Sequence, residues 1–277
     1  MPHLPTILKT VFAIPPEAIF FEQTTLILEV CSHRLSYTFW NEAGKKFSGL
    51  YVFDLDNDEE PGQVLKHIFR EQTLLQKRYK KVLVCYCFPE SALLPEKFYE
   101  GSRESLLNML YGDLEEGIIL TDVITGENKH NIYRVPFAIH NAVTAQFPLA
   151  IFTHQYSNLV KKLSSEKDIL YVIFYPGKFI ISLMKDGLLQ IIQTYDYRSA
   201  VDMVYYMLTI CKQFDTKIIP LRVAGIINEN DELLSELNRH FSQISFDTLQ
   251  ADMSLSGDIK ELPAHYFSPL FYSVSCV

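Results

Sequence analysis

Three groups of residues have the types and spacing to do chemistry. The first is Leu50-Tyr51-Val52-Phe53-Asp54-Leu55-Asp56, which places carboxylates at the end of an apolar run. A carboxylate in that position can attack a phosphoryl group. Such a nucleophile is usually followed by glycine and threonine, but Asn57 and Asp58 come next here. The run also follows two earlier strand-like segments, so it reads as an acidic loop. Asp54, Asp56 and Asp58 alternate as calcium ligands do. However, Glu59 stands where a calcium loop turns on glycine, and Leu65 stands at the twelfth position, where a bidentate glutamate is needed.

The second group is Cys85-x-Cys87. Alternate residues of a strand share a face, but no second Cys or His pair has metal spacing nearby, so these read as buried thiols. The third is a set of histidines, His130, His140 and His154, suited to general base chemistry. No Ser or Cys nucleophile is legible beside any of them, and they read as structural or surface residues. Tyr205-Tyr206 reads as packing between elements rather than as a cofactor-stacking pair.

Composition narrows the classes further. The chain has 277 residues, of which 48% are apolar, and a net charge of −8. That charge argues against non-specific nucleic-acid binding, which needs clustered Lys and Arg. The one basic cluster, Gln76-Lys77-Arg78-Tyr79-Lys80-Lys81, reads as a helix C-terminus complementing the macrodipole. Five cysteines, an odd number set in apolar runs, suit reduced thiols in the cytoplasm. No segment has the roughly 20 apolar residues needed to span a bilayer, so membrane insertion is not expected. The proline-rich start lacks the pattern of a signal peptide.

The positioning elements follow from periodicity. Residues 1–23, with four prolines, read as an arm of little regular structure. Thr24 to Val30, Arg34 to Trp40 and Phe47 to Leu55 read as strands, and Gly62 to Tyr79 as a helix. Val82 to Phe88 is an unbroken apolar run, the mark of a strand covered on both faces. The order β-β-β-α-β then returns: Asp168 to Tyr175, Phe179 to Met184, Leu188 to Thr194, a helix over Ser199 to Phe214, and Ile218 to Ala224. Ser199 and Asp202 have capping-box spacing. Val201, Val204, Tyr205, Leu208 and Cys211 fall on one apolar stripe. A further helix spans Asp231 to Phe241 with Asn230 as its cap. Between the repeats lie a helix near Ser102 to Tyr111, a hairpin (Ile118 to Ile124 and Asn131 to Val135), a helix near Phe137 to Phe147, a strand at Leu149 to Thr153 and a linking helix to Leu163. A three-strand meander, a helix and a parallel strand form a ribonuclease-H-like lobe. Two of them make an α/β chain of actin-like ATPase architecture, with lobes at 24–163 and 164–277.

The whole chain resembles an uncharacterised bacterial family, a domain of unknown function. The resemblance is carried by Phe88-Pro89-Glu90-Ser91-Ala92-Leu93-Leu94-Pro95, Ile132-Tyr133-Arg134-Val135-Pro136, Phe147-Pro148 with His154, Asp202 with Tyr205-Tyr206-Met207-Leu208, and Ala224-Gly225-Ile226. It implies an actin-like ATPase fold, shared more distantly with pilus-assembly and secretion scaffold proteins, and it implies no activity.

ATPases of that architecture hold phosphates with two glycine-bearing turns, one per lobe. Each needs an acid for the metal and glycines that let backbone N–H groups approach phosphate oxygens. The first turn here is Cys31-Ser32-His33-Arg34, without glycine or aspartate. The second, Tyr175-Pro176-Gly177-Lys178, keeps one glycine, and Pro176 removes a donor. The adenosine-side turn keeps only Gly225. The cleft-equivalent positions are therefore Ser32, His33, Arg34, Gly177, Lys178 and Gly225. The degraded turns predict a non-catalytic module that acts through protein–protein interaction, with a protein partner or with itself, and without cofactor. The alternative is an ATP-binding protein or ATPase with an atypical phosphate site, in which Arg34 and Lys178 hold the anion directly. The aromatic segment Leu262 to Tyr272 is expected to pack back on a lobe or to form a docking patch.

Overall fold

Apolar and β-branched runs separated by short turns build the first sheet. The structure, a computed structural model, describes residues 9–55, 59–99, 103–112, 116–216, 218–228 and 230–276. Its strands are β1 (Lys9–Ile14), β2 (Thr24–Val30), β3 (Arg34–Asn41) and β4 (Lys46–Asp54), followed by helix α1 (Pro61–Glu71) and β5 (Lys81–Tyr86). β2, β3 and β4 form an antiparallel meander, and β5 lies parallel to β2. A helical crossover permits that parallel pairing.

Two readings of this segment are corrected. Lys9–Ile14, within the expected irregular arm, is an edge strand paired to β4; residues 1–8 of the arm lie outside the described residues. Its exposed face carries little apolar area, so its periodicity is faint, and pairing with β4 fixes it. The helix expected to reach Tyr79 ends at Glu71, with Gln72 as its extended C-cap, and a 3-10 turn over Thr73–Gln76 follows. That turn buries Leu75, and the Tyr79 hydroxyl donates to Leu74 O at 2.8 Å. The basic cluster therefore follows the helix rather than ending it, and Lys80 Nζ lies 2.6 Å from Glu42.

The chain continues through β6 (Ser91–Pro95), α2 (Arg103–Tyr111), β7 (Gly117–Ile124), β8 (Lys129–Pro136), α3 (Phe137–Gln146), β9 (Ile151–His154) and α4 (Gln155–Leu163). β6, β8 and β7 form a small antiparallel sheet, and β9 extends the main sheet beside β5. Leu26, Leu28 and Val30 of β2 and Val84 and Tyr86 of β5 point into a core with α1 and α3. By strand alternation, Glu29 and Cys85 point to the other face.

The second sheet repeats the plan with β10 (Ile169–Tyr175), β11 (Lys178–Lys185), β12 (Leu188–Asp196), α5 (Ala200–Gln213), β13 (Leu221–Gly225), α6 (Glu232–His240) and β14 (Ile244–Phe246). Its strand order, β12-β11-β10-β13-β14, matches β4-β3-β2-β5-β9 of the first. Ser199 and Asp202 form the expected capping box. The cap before α6 is Asp231 rather than Asn230. Its carboxylate accepts from Asn228 N–H at 2.6 Å, which starts the helix one residue later.

The stripe expected on α5 is rotated. Met203, Val204, Met207, Ile210 and Cys211 are buried, whereas Val201, Tyr205 and Leu208 are exposed. The methionines fill the core instead, as flexible thioethers do well. Tyr206 stacks on Tyr195 with centroids 4.7 Å apart, so only one residue of the tyrosine pair packs inside.

The chain forms two units. One runs to Asn158 and takes in Ala251–Glu261 and the residues from Ser273; the other comprises Leu159–Gln250 and Leu262–Tyr272. Residues 251–261 thus belong with the first unit, although sequence order places them in the second lobe. β15 (Ser254–Leu255) pairs with the start of β4. In the second unit, α7 (Ser268–Phe271) completes the aromatic segment, and Phe267, Leu270, Phe271 and Tyr272 are buried, so the segment packs back. Among the described residues, no helix is long and apolar enough to cross a membrane.

Candidate functional site

The carboxyl end of β2 positions the first turn. Cys31 N–H donates to Arg34 O at 2.9 Å, closing the hairpin over Ser32 and His33. Leu55 N–H donates to His33 O at 2.8 Å. Arg34 is buried, and its Nε and Nη2 donate to Asp54 Oδ1 at 3.2 and 2.9 Å. Lys9 Nζ lies 3.1 Å from Asp54 Oδ2. Partial burial opposes ionisation of Asp54, but the hydrogen bonds from Arg34 and Lys9 outweigh it and hold the carboxyl below its usual range. Asp54 is therefore the centre of an ion-pair cluster with two cations and is not poised for attack. Asp56, Asn57 and Asp58, the rest of that acidic motif, lie outside the described residues.

In the second unit, Gly177, Lys178 and Gly225 gather at one end of the sheet. Lys178 pairs with Tyr175 and Gly225 with Phe174. Gly177 has φ +72° with open space around it, and its carbonyl accepts from Tyr197 N–H at 3.0 Å. Lys178 Nζ lies 3.8 Å from Asp196 Oδ1. Gly225 has φ +87°, and a Cβ there would stand 2.0 Å from Phe174 O. The approach of β10 therefore demands glycine at this position, whatever binds nearby. The structure thus brings Ser32, His33 and Arg34 together in one unit and Gly177, Lys178 and Gly225 together in the other.

The histidines are structural. His154 is fully buried: its Nε2 donates to Phe88 O at 2.9 Å, and its Nδ1 accepts from Tyr156 N–H at 3.1 Å. These partners fix a neutral ring, and burial depresses its pKa from 6.5 to about 4. The unfolded chain takes up this proton near pH 6.5, whereas the folded chain resists it until about pH 4. Stability is therefore present above pH 6.5 and is lost as pH falls to 4, by about 3 kcal/mol from this residue. Urea titrations should show wild type losing that much more than His154→Gln between pH 7 and pH 4. Equal losses would refute the assignment. His140 shares a hydrogen bond with the Tyr86 hydroxyl at 3.0 Å, and His130 pairs with Glu96.

One cluster escapes a linear reading. Glu29, Cys31 and Cys87 offer ligand atoms that all lie within 4.8 Å of one another. Parallel pairing sets Glu29 opposite Cys85, and Cys87 N–H donates to Val30 O at 3.0 Å, carrying the ladder one step further. Cys31 Sγ lies 3.7 Å from Glu29 Oε1. The contact with Cys87 favours the Cys31 thiolate, but burial and the Glu29 charge prevail and push its pKa up; burial pushes Cys87 higher still. The signal was available, since the β-α-β crossover predicts β2 beside β5 and alternation puts these side chains on one face.

Comparison with known proteins follows the same lines. The family described as "Protein of unknown function (DUF3822)" matches residues 18–244. A crystal structure from Bacteroides thetaiotaomicron, of a protein with actin-like ATPase fold and unknown function, is similar with a TM-score of 0.77 at 18% identity. The match covers 92% of this chain and 99% of that one. The PilM-PilN type IV pilus biogenesis complex contains a chain similar at TM-score 0.61 and 11% identity, with 91% and 98% covered. No curated protein matches the chain in sequence. The fold is the actin-like ATPase fold, as the doubled strand order indicates.

Proposed function

The chain belongs to this DUF3822 family of proteins of unknown function, and from its own residues we propose that it is a non-catalytic module of actin-like fold that works by binding another protein. The β2–β3 turn carries the reading. It has no glycine, and its one cation, Arg34, is committed to Asp54 at 2.9 Å. An anion binding there would have to displace Asp54 from a partly buried, hydrogen-bonded ion pair. Pro176 offers no N–H at the second turn, and Gly225 is explained by strand packing.

Binding of a protein is supported by α5, whose outer side presents Val201, Tyr205 and Leu208, the first two 64% and 66% exposed. Tyrosine and aliphatic side chains in one patch are what an interface core uses. One solved chain of this fold is part of a pilus biogenesis complex, in keeping with a role in assembly. No nucleic acid, cofactor or membrane insertion belongs to this reading.

Isothermal titration with ATP, with and without magnesium, should give no heat at millimolar ligand. A measured binding isotherm would overturn the reading in favour of an ATP-binding protein with an atypical phosphate site. In affinity capture from the native cell, a partner held by wild type should be lost by Val201→Ser/Tyr205→Ser at unchanged melting temperature. Retention by that variant would remove α5 from the interface.

A further inference from the structure

We propose that Glu29, Cys31 and Cys87 form a zinc site, with two thiolates and one carboxylate as ligands and the fourth position open to water or a small ligand. The donor set carries the choice of metal. Paired thiolates select zinc, copper(I) or iron–sulfur chemistry, and a carboxylate added to them suits a divalent ion of borderline softness. Thiolate–zinc and carboxylate–zinc bonds of about 2.3 and 2.1 Å in a tetrahedron put sulfur and oxygen about 3.6 Å apart. Cys31 Sγ and Glu29 Oε1 already stand 3.7 Å apart. Two sulfurs in that tetrahedron are about 3.8 Å apart, and all three donors lie within 4.8 Å of one another. Small side-chain rotations therefore close the site.

The backbone is suited to hold it. Glu29 and Cys31 are alternate residues at the end of β2, and Cys87 follows β5, so two hydrogen-bonded strands fix all three ligands. The carboxyl ends of parallel strands are where α/β sheets bind ligands. Three ligands with an open position make an exchangeable rather than a closed structural site. Cys85, next along the same face of β5, donates to Gln155 Oε1 at 3.1 Å and is committed there.

The test uses the full chain, reduced and metal-free, titrated with cobalt(II) and then zinc(II). One equivalent of cobalt should give the absorption of a tetrahedral cobalt–thiolate centre, and zinc should bleach it. Cys31→Ser and Cys87→Ser should each weaken binding at least about 100-fold, the upper end of what losing even an outer hydrogen-bond partner costs. Glu29→Gln should weaken it about 10-fold and keep the thiolate band. Cys211→Ser, in the other unit, should change nothing. Should the variants fail to fold, mass-spectrometric mapping on wild type decides: zinc must slow alkylation of Cys31 and Cys87 together and leave Cys211 unaffected. Absence of a thiolate band, a band that survives loss of both cysteines, or alkylation indifferent to zinc would each overturn the assignment.

Discussion

Replacing Gly225 with alanine should cost the second unit more than about 4 kcal/mol, at the extreme of single-substitution effects. Two penalties combine. At φ +87° an L side chain meets its own backbone, worth about 1–2 kcal/mol. The new methyl would also stand 2.0 Å from Phe174 O, a backbone atom that can move only by parting β13 from β10. Leu170, Val172, Leu221 and Val223 pack around that seam, so the core opens with it. Gly177→Ala is the matched control. Its φ is also positive, at +72°, but nothing lies within 4 Å of the added carbon, and only the backbone penalty of about 1–2 kcal/mol applies. Calorimetry of the full chain should show a large fall in melting temperature for the first and a shift of a few degrees for the second. Equal, small shifts would mean that Gly225 is not held by strand contact, and would return it to consideration as a ligand-approach residue.

Asp247→Ala should be the next most damaging change, at about 3–5 kcal/mol, the cost of stripping one partner from a buried ion pair. Asp247 is 4% exposed. Its Oδ2 accepts from Tyr171 at 2.7 Å and Ser268 at 2.6 Å, with Lys162 Nζ at 3.1 Å. Its own N–H donates to Val223 O at 2.8 Å. Alanine would take this acceptor from two buried hydroxyls and from the largely buried ammonium of Lys162, at a desolvation cost to each. Asp247→Asn keeps an acceptor for the hydroxyls and loses only the charge, so it should fall between alanine and wild type. Because Ser268 begins α7, the alanine variant should also expose the C-terminal segment to protease. Wild-type resistance in that variant would sink the account.

The elements that resolve from sequence are those whose apolar pattern matches their burial. β2, β3 and β5 are buried along almost their whole length, and their runs of Leu, Ile, Val, Tyr and Phe declare them. β1 has mostly exposed side chains among prolines, and only pairing with β4 makes it a strand. On α5 both sides carry apolar residues, so periodicity could not choose between Tyr205 and Met207 as the inward residue. The phosphate-turn positions were legible because glycine, proline and charge act locally. The commitment of Arg34 to Asp54 was not, since it depends on the register of β3 against β4. Cys31 and Cys87 are brought together by the parallel pairing of β2 with β5 across α1, so their closeness is legible only through the β-α-β topology and not through their spacing along the chain.

The pairing of β15 with β4 has a consequence for biosynthesis. Ser254 and Leu255 join Lys46 and Phe47 across most of the chain. A ribosome that has just released residues 9–158 holds a meander still missing its last neighbour, and the whole second sheet is made before that neighbour emerges. The amino-terminal sheet is therefore completed only when a late-translated strand docks on β4.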